Sequence, residues 1–390
     1  MPKVALLIET SNAYARGLLR GIEAYVREHR AWSIYLVEHG RGDRPPNWLA
    51  GWAGDGIIAR IENKTIARAL EPLKVPIVDV SAACLLPRTP FVETDDEAIA
   101  KLAVAHFEER GFKTYAYSGD SRFSWSVGRG EHFSKIVRAK GYPCFEHQPK
   151  PGLTPEDDAF VDDLGVWLEK LPKPLAVFAS YDIRGREVLD ACRRRDIAVP
   201  EQVAVLGVDN DEMLCGLAPV PMSSIIPNTL RTGYEAGALL DRMMSGDKIS
   251  GGAHLFPPLG VATRQSTDIS AVDDPHVARA ARFIRANACQ GASVGDVVAA
   301  VPLARRLLEK RFRAMLGRTL REEITRVQIQ RVKELLAGTD LSLAEIAGRT
   351  GFKHVEYLTV VFKRETGQPP SVYRQERNPQ GQQRSVGGWM

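Results

Sequence analysis

The chain has 390 residues, of which 44% are hydrophobic and 26% charged. These are proportions of folded globular material rather than of a disordered chain, over a length that predicts two or three domains. No apolar run approaches the ~18–20 residues of a bilayer-spanning helix, and the run 4–8 is too short for a signal-peptide core, so a cytoplasmic protein is expected. The five cysteines (Cys84, Cys144, Cys192, Cys215, Cys289) are scattered and odd in number, which predicts reduced thiols rather than disulfides or a zinc site. The net charge of +4 is uneven. From residue 276 onward lie 20 of the 52 Lys/Arg and 10 of the 48 Asp/Glu, which leaves +10 there and −6 on the rest. A basic end on an acidic body points to a polyanion partner for that end alone.

From residue 3 to about 263, short apolar runs (4–8, 56–59, 75–78, 114–117, 175–179, 203–208) alternate with segments of helical period (14–28, 98–110, 128–140, 156–171, 183–195, 229–244). Such alternation predicts parallel sheets covered by helices on both faces, with ligands held outside the carboxyl ends of the strands. After Arg264 the strand signals stop. Residues 265–275, rich in Ser, Thr and Asp, read as a linker, and 277–377 are helical in period. The expected organisation is an effector and dimerisation domain over 1–268, an all-α domain over 276–377 and a disordered Gly/Gln-rich tail over 378–390.

Four strand ends carry polar groups that the alternation does not explain. Asn12 and Tyr14 follow the first run, Trp125 and Arg129 the fourth, Asp182 and Arg186 the fifth, and Asp209 and Asn210 the sixth. Carboxylates, guanidinium groups and amides beside aromatic faces suit a sugar, whose hydroxyls need paired donors and acceptors and whose C–H face stacks on a ring. The competing assignment is local: Asn12, Asp182 and Asp209 are also good N-caps for the helices that follow.

The stretches Phe91-Val92-Glu93-Thr94-Asp95-Asp96-Glu97-Ala98, Ala176-Val177-Phe178-Ala179-Ser180-Tyr181-Asp182 and Pro200-Glu201-Gln202-Val203-Ala204-Val205-Leu206-Gly207-Val208-Asp209-Asn210 resemble the sugar-binding core of the lactose-repressor family and its periplasmic relatives. The resemblance implies a two-lobed α/β fold, periplasmic-binding-protein-like, in which Arg129 clamps ligand hydroxyls and Asp209 accepts from them. That family's N-terminal helix-turn-helix has no counterpart here.

The C-terminal quarter holds a repeat. Ser293-Val294-Gly295-Asp296 and Leu341-Ser342-Leu343-Ala344-Glu345-Ile346-Ala347 each open a segment that continues into an amphipathic basic helix. The second, with Gly348-Arg349-Thr350-Gly351-Phe352 and then Phe362-Lys363-Arg364-Glu365-Thr366-Gly367-Gln368-Pro369-Pro370, is similar to the paired helix-turn-helix module of the arabinose-regulator (AraC) family. Ile346, Ala347, Phe352 and Phe362 are expected in the core, with Gly351 at the tight turn. In the first recognition helix Leu303, Leu307, Leu308 and Phe312 are expected inside. Arg305, Arg306, Glu309 and Lys310 are left for base edges, and Arg311 and Arg313 for phosphates. In the second, His354, Val355, Glu356 and Thr359, with Val360 beside them, form the expected reading face.

The order of the two halves resembles a family of pentose-responsive regulators of enteric bacteria. That likeness implies D-xylose or a similar pentose as effector, no cofactor, an operator of double-stranded DNA, a homodimer, and RNA polymerase as partner of an activator. A sugar-released repressor of the same architecture stays open at this level. A carbohydrate-processing enzyme finds no Ser/His/Asp grouping, metal-spaced His/Cys set or Gly-rich phosphate loop in the chain. A transport receptor is disfavoured by the DNA module and by the absence of a signal-peptide core.

Overall fold

The computed structural model describes residues 1–377 except 39, 42, 155–156, 250, 269–273 and 340. The middle of the expected linker, the expected helix start at 156 and the tail 378–390 lie outside the described residues. The chain divides into two compact units, Met1–Ala271 and Val272–Met390.

The first unit runs β1 (Lys3–Leu7), α1 (Ala13–Glu28), β2 (Ser33–Leu36), β3 (Gly56–Ala59), α2 (Lys64–Leu70), β4 (Ile77–Asp79), β5 (Phe91–Thr94), α3 (Asp96–Glu108), β6 (Tyr115–Ser118), α4 (Ser124–Ala139). It continues β7 (Cys144–Glu146), α5 (Asp158–Lys170), β8 (Leu175–Ala179), α6 (Asp182–Arg194), β9 (Val203–Val208), α7 (Glu212–Leu217), β10 (Ser223–Ile226), α8 (Thr229–Met244), β11 (Ala253–Phe256), β12 (Gly260–Ala262). The strands form two six-stranded sheets, β11-β5-β4-β3-β1-β2 and β12-β10-β9-β8-β6-β7. Every pairing is parallel except β10 with β12. Each sheet with its helices is one lobe, and the chain passes between lobes three times: after β5, after β10 and between β11 and β12.

Residues of β8 and β9 are buried without exception, which is why these strands read as unbroken apolar runs. The sequence pattern missed β2, β5, β7, β10, β11 and β12. All are four residues or fewer, and β5 and β10 carry Glu93, Ser223 and Ser224 inside. In the first lobe α1 and α8 pack backbone to backbone. A Cβ on Gly21 would run into the Leu230 carbonyl, one on Gly233 into the Leu18 carbonyl, and one on Gly17 into the Thr229 side chain. The last described turn of this unit is fastened to the second lobe. Ser266 Oγ donates to the Val205 carbonyl (2.6 Å), and Arg110 Nε donates to the Thr267 carbonyl (2.7 Å).

The second unit is all helix among its described residues: α9 (Pro275–Asn287), α10 (Val294–Ala299), α11 (Arg305–Leu316), α12 (Leu320–Gly338), α13 (Leu343–Arg349), α14 (Val355–Thr366), α15 (Pro370–Arg377). Three of these helices start on reciprocal capping boxes, Ser293 with Asp296, Thr319 with Glu322 and Ser342 with Glu345, each satisfying two amide donors locally. The repeat noted in the sequence is therefore, physically, a repeat of helix starts. Gly351, between α13 and α14, has φ +76°, and a side chain there would press on the Ala288 carbonyl at 2.6 Å.

All five cysteines are free thiols. Among the described residues no helix is long and apolar enough to cross a membrane, and no cluster of His, Cys, Asp and Glu could hold a metal ion.

Candidate effector cleft and nucleic-acid interface

A pocket between the lobes is lined by Tyr14, Arg41, Arg60 and Glu93 of the first, Asp96 at the first crossing, and Trp125, Arg129 and Asp209 of the second. The cavity volume is about 20 Å³, so the side chains of the two lobes nearly meet across it. The strand ends set its geometry. Arg60 follows β3 and donates through Nη1 to Glu9 (3.1 Å) and through Nη2 to Glu62 (2.6 Å), while its guanidinium lies 5.1 Å from the Tyr14 ring centre. The Tyr14 hydroxyl donates to Glu93 Oε1 and stands 3.1 Å from Thr94 Oγ1. Across the pocket, Arg129 donates through Nε to Asp96 (2.8 Å) and through Nη1 to the Ser180 carbonyl, and lies 5.2 Å from the Trp125 ring centre. The Trp125 indole N–H is buried and has no protein partner.

Burial raises the Glu93 carboxyl to about 7, against the pull of Arg60 and the Tyr14 hydrogen bond. Burial also raises Asp209, opposed by Arg129, Arg41 and Arg60. Charged donors and acceptors in a small enclosed space, with a tryptophan face beside them, suit a small neutral polyol better than a charged metabolite.

A group whose folded pKa exceeds its unfolded value adds stability that is present at low pH and lost as pH rises. For Glu93 that window runs from its ordinary 4.5 to about 7. Glu93→Gln therefore gains on the wild type between pH 5 and pH 8 by on the order of 2 kcal/mol. Urea unfolding of both proteins at the two pH values measures this, and a constant difference refutes it.

Of the expected sugar residues, Tyr14, Trp125, Arg129 and Asp209 meet in the pocket. Asn12 caps α1, its Oδ1 accepting from the Ala15 N–H at 2.8 Å, while its Nδ2 is buried without a partner. Asn210 accepts from Arg264 Nη2 at 2.8 Å.

Asp182 is a correction. It is 1% exposed and absent from the pocket wall, and it accepts from Ser224 Oγ (2.6 Å), the Asp211 N–H (2.7 Å) and Cys215 Sγ (3.4 Å). Gly207 leaves room for that carboxylate. Arg186 is a second correction: it is exposed in an outer groove with Asp157, Asp158 and Asp190, because the helical period of α6 turns it away from the cleft. The pocket members Arg41, Arg60, Glu93 and Asp96 were not singled out from the sequence. Arg60 stands directly after the run 56–59, where the strand-end rule points, so that signal existed.

In the second unit, α11 buries Leu308, Phe312 and Leu316 and leaves Arg305, Arg306 and Lys310 exposed. Glu309 is half-buried and accepts from Arg305 Nε at 3.0 Å. Leu307, expected inside, is 38% exposed on this face, and Arg311, expected on phosphate, pairs with Asp274 at the start of α9 (2.8 Å). On α14, Leu358, Val361 and Phe362 are buried while His354 and Glu356 are exposed. Val355 packs against the core instead of facing out, and the Thr359 hydroxyl donates to the Val355 carbonyl (2.9 Å). Tyr357 and Val360, 52% and 66% exposed, belong to the open face, and of these Tyr357 was not anticipated.

The family models that match are a XylR N-terminal domain over residues 3–97, a periplasmic binding protein-like domain over 104–267 and a helix-turn-helix domain over 297–376. The xylose operon regulatory protein of Escherichia coli (strain K12) is 32% identical over 385 residues, 95% of this chain and 96% of that protein. Its Haemophilus influenzae counterpart is 30% identical over 387 residues, 95% and 98% of the two chains. A solved xylose-binding transcription activator, XylR, superposes with a TM-score of 0.84 at 31% identity, covering 96% of this chain and 98% of its own. A cellobiose complex of the regulator CelR (TM-score 0.57, 22% identity, 68% of this chain and 84% of that one) shares the fold of the first unit.

A two-lobed periplasmic-binding-protein-like domain joined to a helix-turn-helix domain, in a chain similar throughout to transcription regulators, defines an AraC-type transcription regulator and not an enzyme. The chain belongs to the xylose operon regulatory protein family.

Proposed function

We propose that the protein is a cytoplasmic activator of pentose-use genes that answers to D-xylose or a similar pentose. The observation that carries this reading is the interlobe pocket. Glu93, Asp96, Asp209, Arg60, Arg129 and Trp125, whose indole N–H is unpartnered, converge from both lobes on one cleft, in a chain whose relatives over nearly its whole length are named for xylose. Bound sugar raises operator affinity by holding the lobes in one arrangement, a coupling typically worth 1–3 kcal/mol. The exposed faces of α11 (Arg305, Arg306, Glu309, Lys310) and α14 (His354, Glu356) read the major groove, and RNA polymerase is the activator's partner.

A homodimer is part of this reading. The edge strand β2 and its continuation present Ile34, Tyr35, Leu36 and Val37 at 41–48% exposure. An open apolar edge of this kind pairs readily with its own copy about a two-fold axis.

Thermal shift against a panel of pentoses and hexoses tests the effector, since a ligand of the native state raises Tm. A flat response to every pentose removes the reading. For the reader, Arg306→Ala lowers affinity for the cognate operator by roughly 1–3 kcal/mol if it contacts a base. A gel-shift titration showing equal loss on random DNA makes it a phosphate contact instead.

A further inference from the structure

Arg41 lies on the loop that leaves the edge strand β2 of the first lobe. Its Nε is 3.8 Å from Glu9 and 3.6 Å from Glu62, both first-lobe carboxylates, and makes no hydrogen bond. The same two carboxylates already have Arg60 at 3.1 and 2.6 Å, so ion pairing alone gives no reason for a second guanidinium here. The reason lies on the other lobe. The Arg41 guanidinium carbon sits 4.8 Å from the Phe123 ring centre, 5.5 Å from Trp125 and 5.8 Å from Tyr181. Two separate segments supply these rings. Phe123 and Trp125 stack at 5.3 Å, and Trp125 meets Tyr181 edge-on at 5.5 Å.

The geometry points to Arg41 as the clasp of the cleft, a cation whose charge is balanced by the first lobe and whose face is held by an aromatic cage of the second. A planar, weakly hydrated guanidinium suits such a cage better than an ammonium. The contact exists only while the lobes are together, so it stabilises the closed arrangement and, by linkage, any ligand that prefers it. Arg41 also borders the pocket, which puts the clasp at the pocket rim. It sets how much sugar is needed to close the cleft.

This inference rests on the pentose reading, and its test separates the two. Arg41 touches the pocket, so its removal alone is ambiguous, but Phe123 is not part of the pocket wall. A double-mutant cycle on the full-length protein, read by isothermal titration with D-xylose, uses Arg41→Ala, Phe123→Leu and the pair. Arg41→Ala weakens binding roughly tenfold, Phe123→Leu severalfold, and Phe123→Leu adds little once Arg41 is gone. Small-angle scattering at one xylose concentration shows both single variants less compact than wild type. Wild-type affinity and compactness in Phe123→Leu, or losses that multiply in the pair, overturn the clasp. A wild type that binds no pentose overturns the sugar reading. The clasp then stands only if both single variants are more expanded than wild type without ligand and the pair is no more expanded than Arg41→Ala.

Discussion

Arg129→Ala abolishes the sugar response, with affinity for D-xylose falling on the order of a hundredfold or more. The side chain is 7% exposed, and its loss takes the guanidinium partner from Asp96 and one cation from the surroundings of Asp209. Losing a charge-assisted donor to a bound hydroxyl costs about 1.5–3 kcal/mol of binding, and the abandoned carboxylates stay desolvated. Isothermal titration measures the loss. Operator binding without sugar persists, since the reader helices are unchanged. Arg129→Lys recovers only part, because an ammonium cannot serve Asp96, the Ser180 carbonyl and the Trp125 face at once. Affinity within threefold of wild type in Arg129→Ala moves the sugar out of this pocket.

Phe362→Ala is the counterpart in the reader. Phe362 is 0% exposed in the cluster of Ile346, Phe352, Leu358 and Val361, with the Tyr373 ring edge-on at 5.5 Å. Truncation costs about 3–5 kcal/mol, enough to loosen α13–α15 in a module of this size. Operator binding is lost while the melting of the first unit and its xylose affinity stay put. Calorimetry with and without xylose distinguishes this outcome: one early transition insensitive to sugar, one late transition raised by it. A single unshifted transition contradicts it.

The two halves were legible in the sequence to different depths. In the reader, the capping boxes, the helical period and the turn at Gly351 are all local, so a few adjacent residues announce each element. The failures there, Leu307 and Val355, lie on the flank of an apolar stripe, where one helical position decides inside from outside. In the cleft, Tyr14, Trp125, Arg129 and Asp209 were accessible because they follow strand runs. Glu93 and Asp96 were hidden because β5 is short and its chain crosses between lobes there. Asp182 misled for a tertiary reason. It stands at a strand end like the others, yet Ser224, the Asp211 amide and Cys215, which absorb its carboxylate, come from 29 to 42 residues further along the chain. Arg41 gave no signal, since only the folded chain brings its loop to the rings of Phe123, Trp125 and Tyr181.

The close backbone contact between α1 and α8 has a mechanical consequence. Side chains between two helices act as a compliant gasket that can shear before the partner moves. Here, where Gly21 and Gly233 let the two backbones meet, that gasket is missing. Tyr14 in the pocket sits on the opening turn of α1, and Gly17, one turn on, bears against Thr229, where the chain arrives from the second crossing between lobes. A ligand that pulls on Tyr14 therefore bears on the crossing segment that enters α8 with little slack. An alanine at position 21 or 233 would do more than crowd a helix pair; it would reset the angle at which an empty cleft rests.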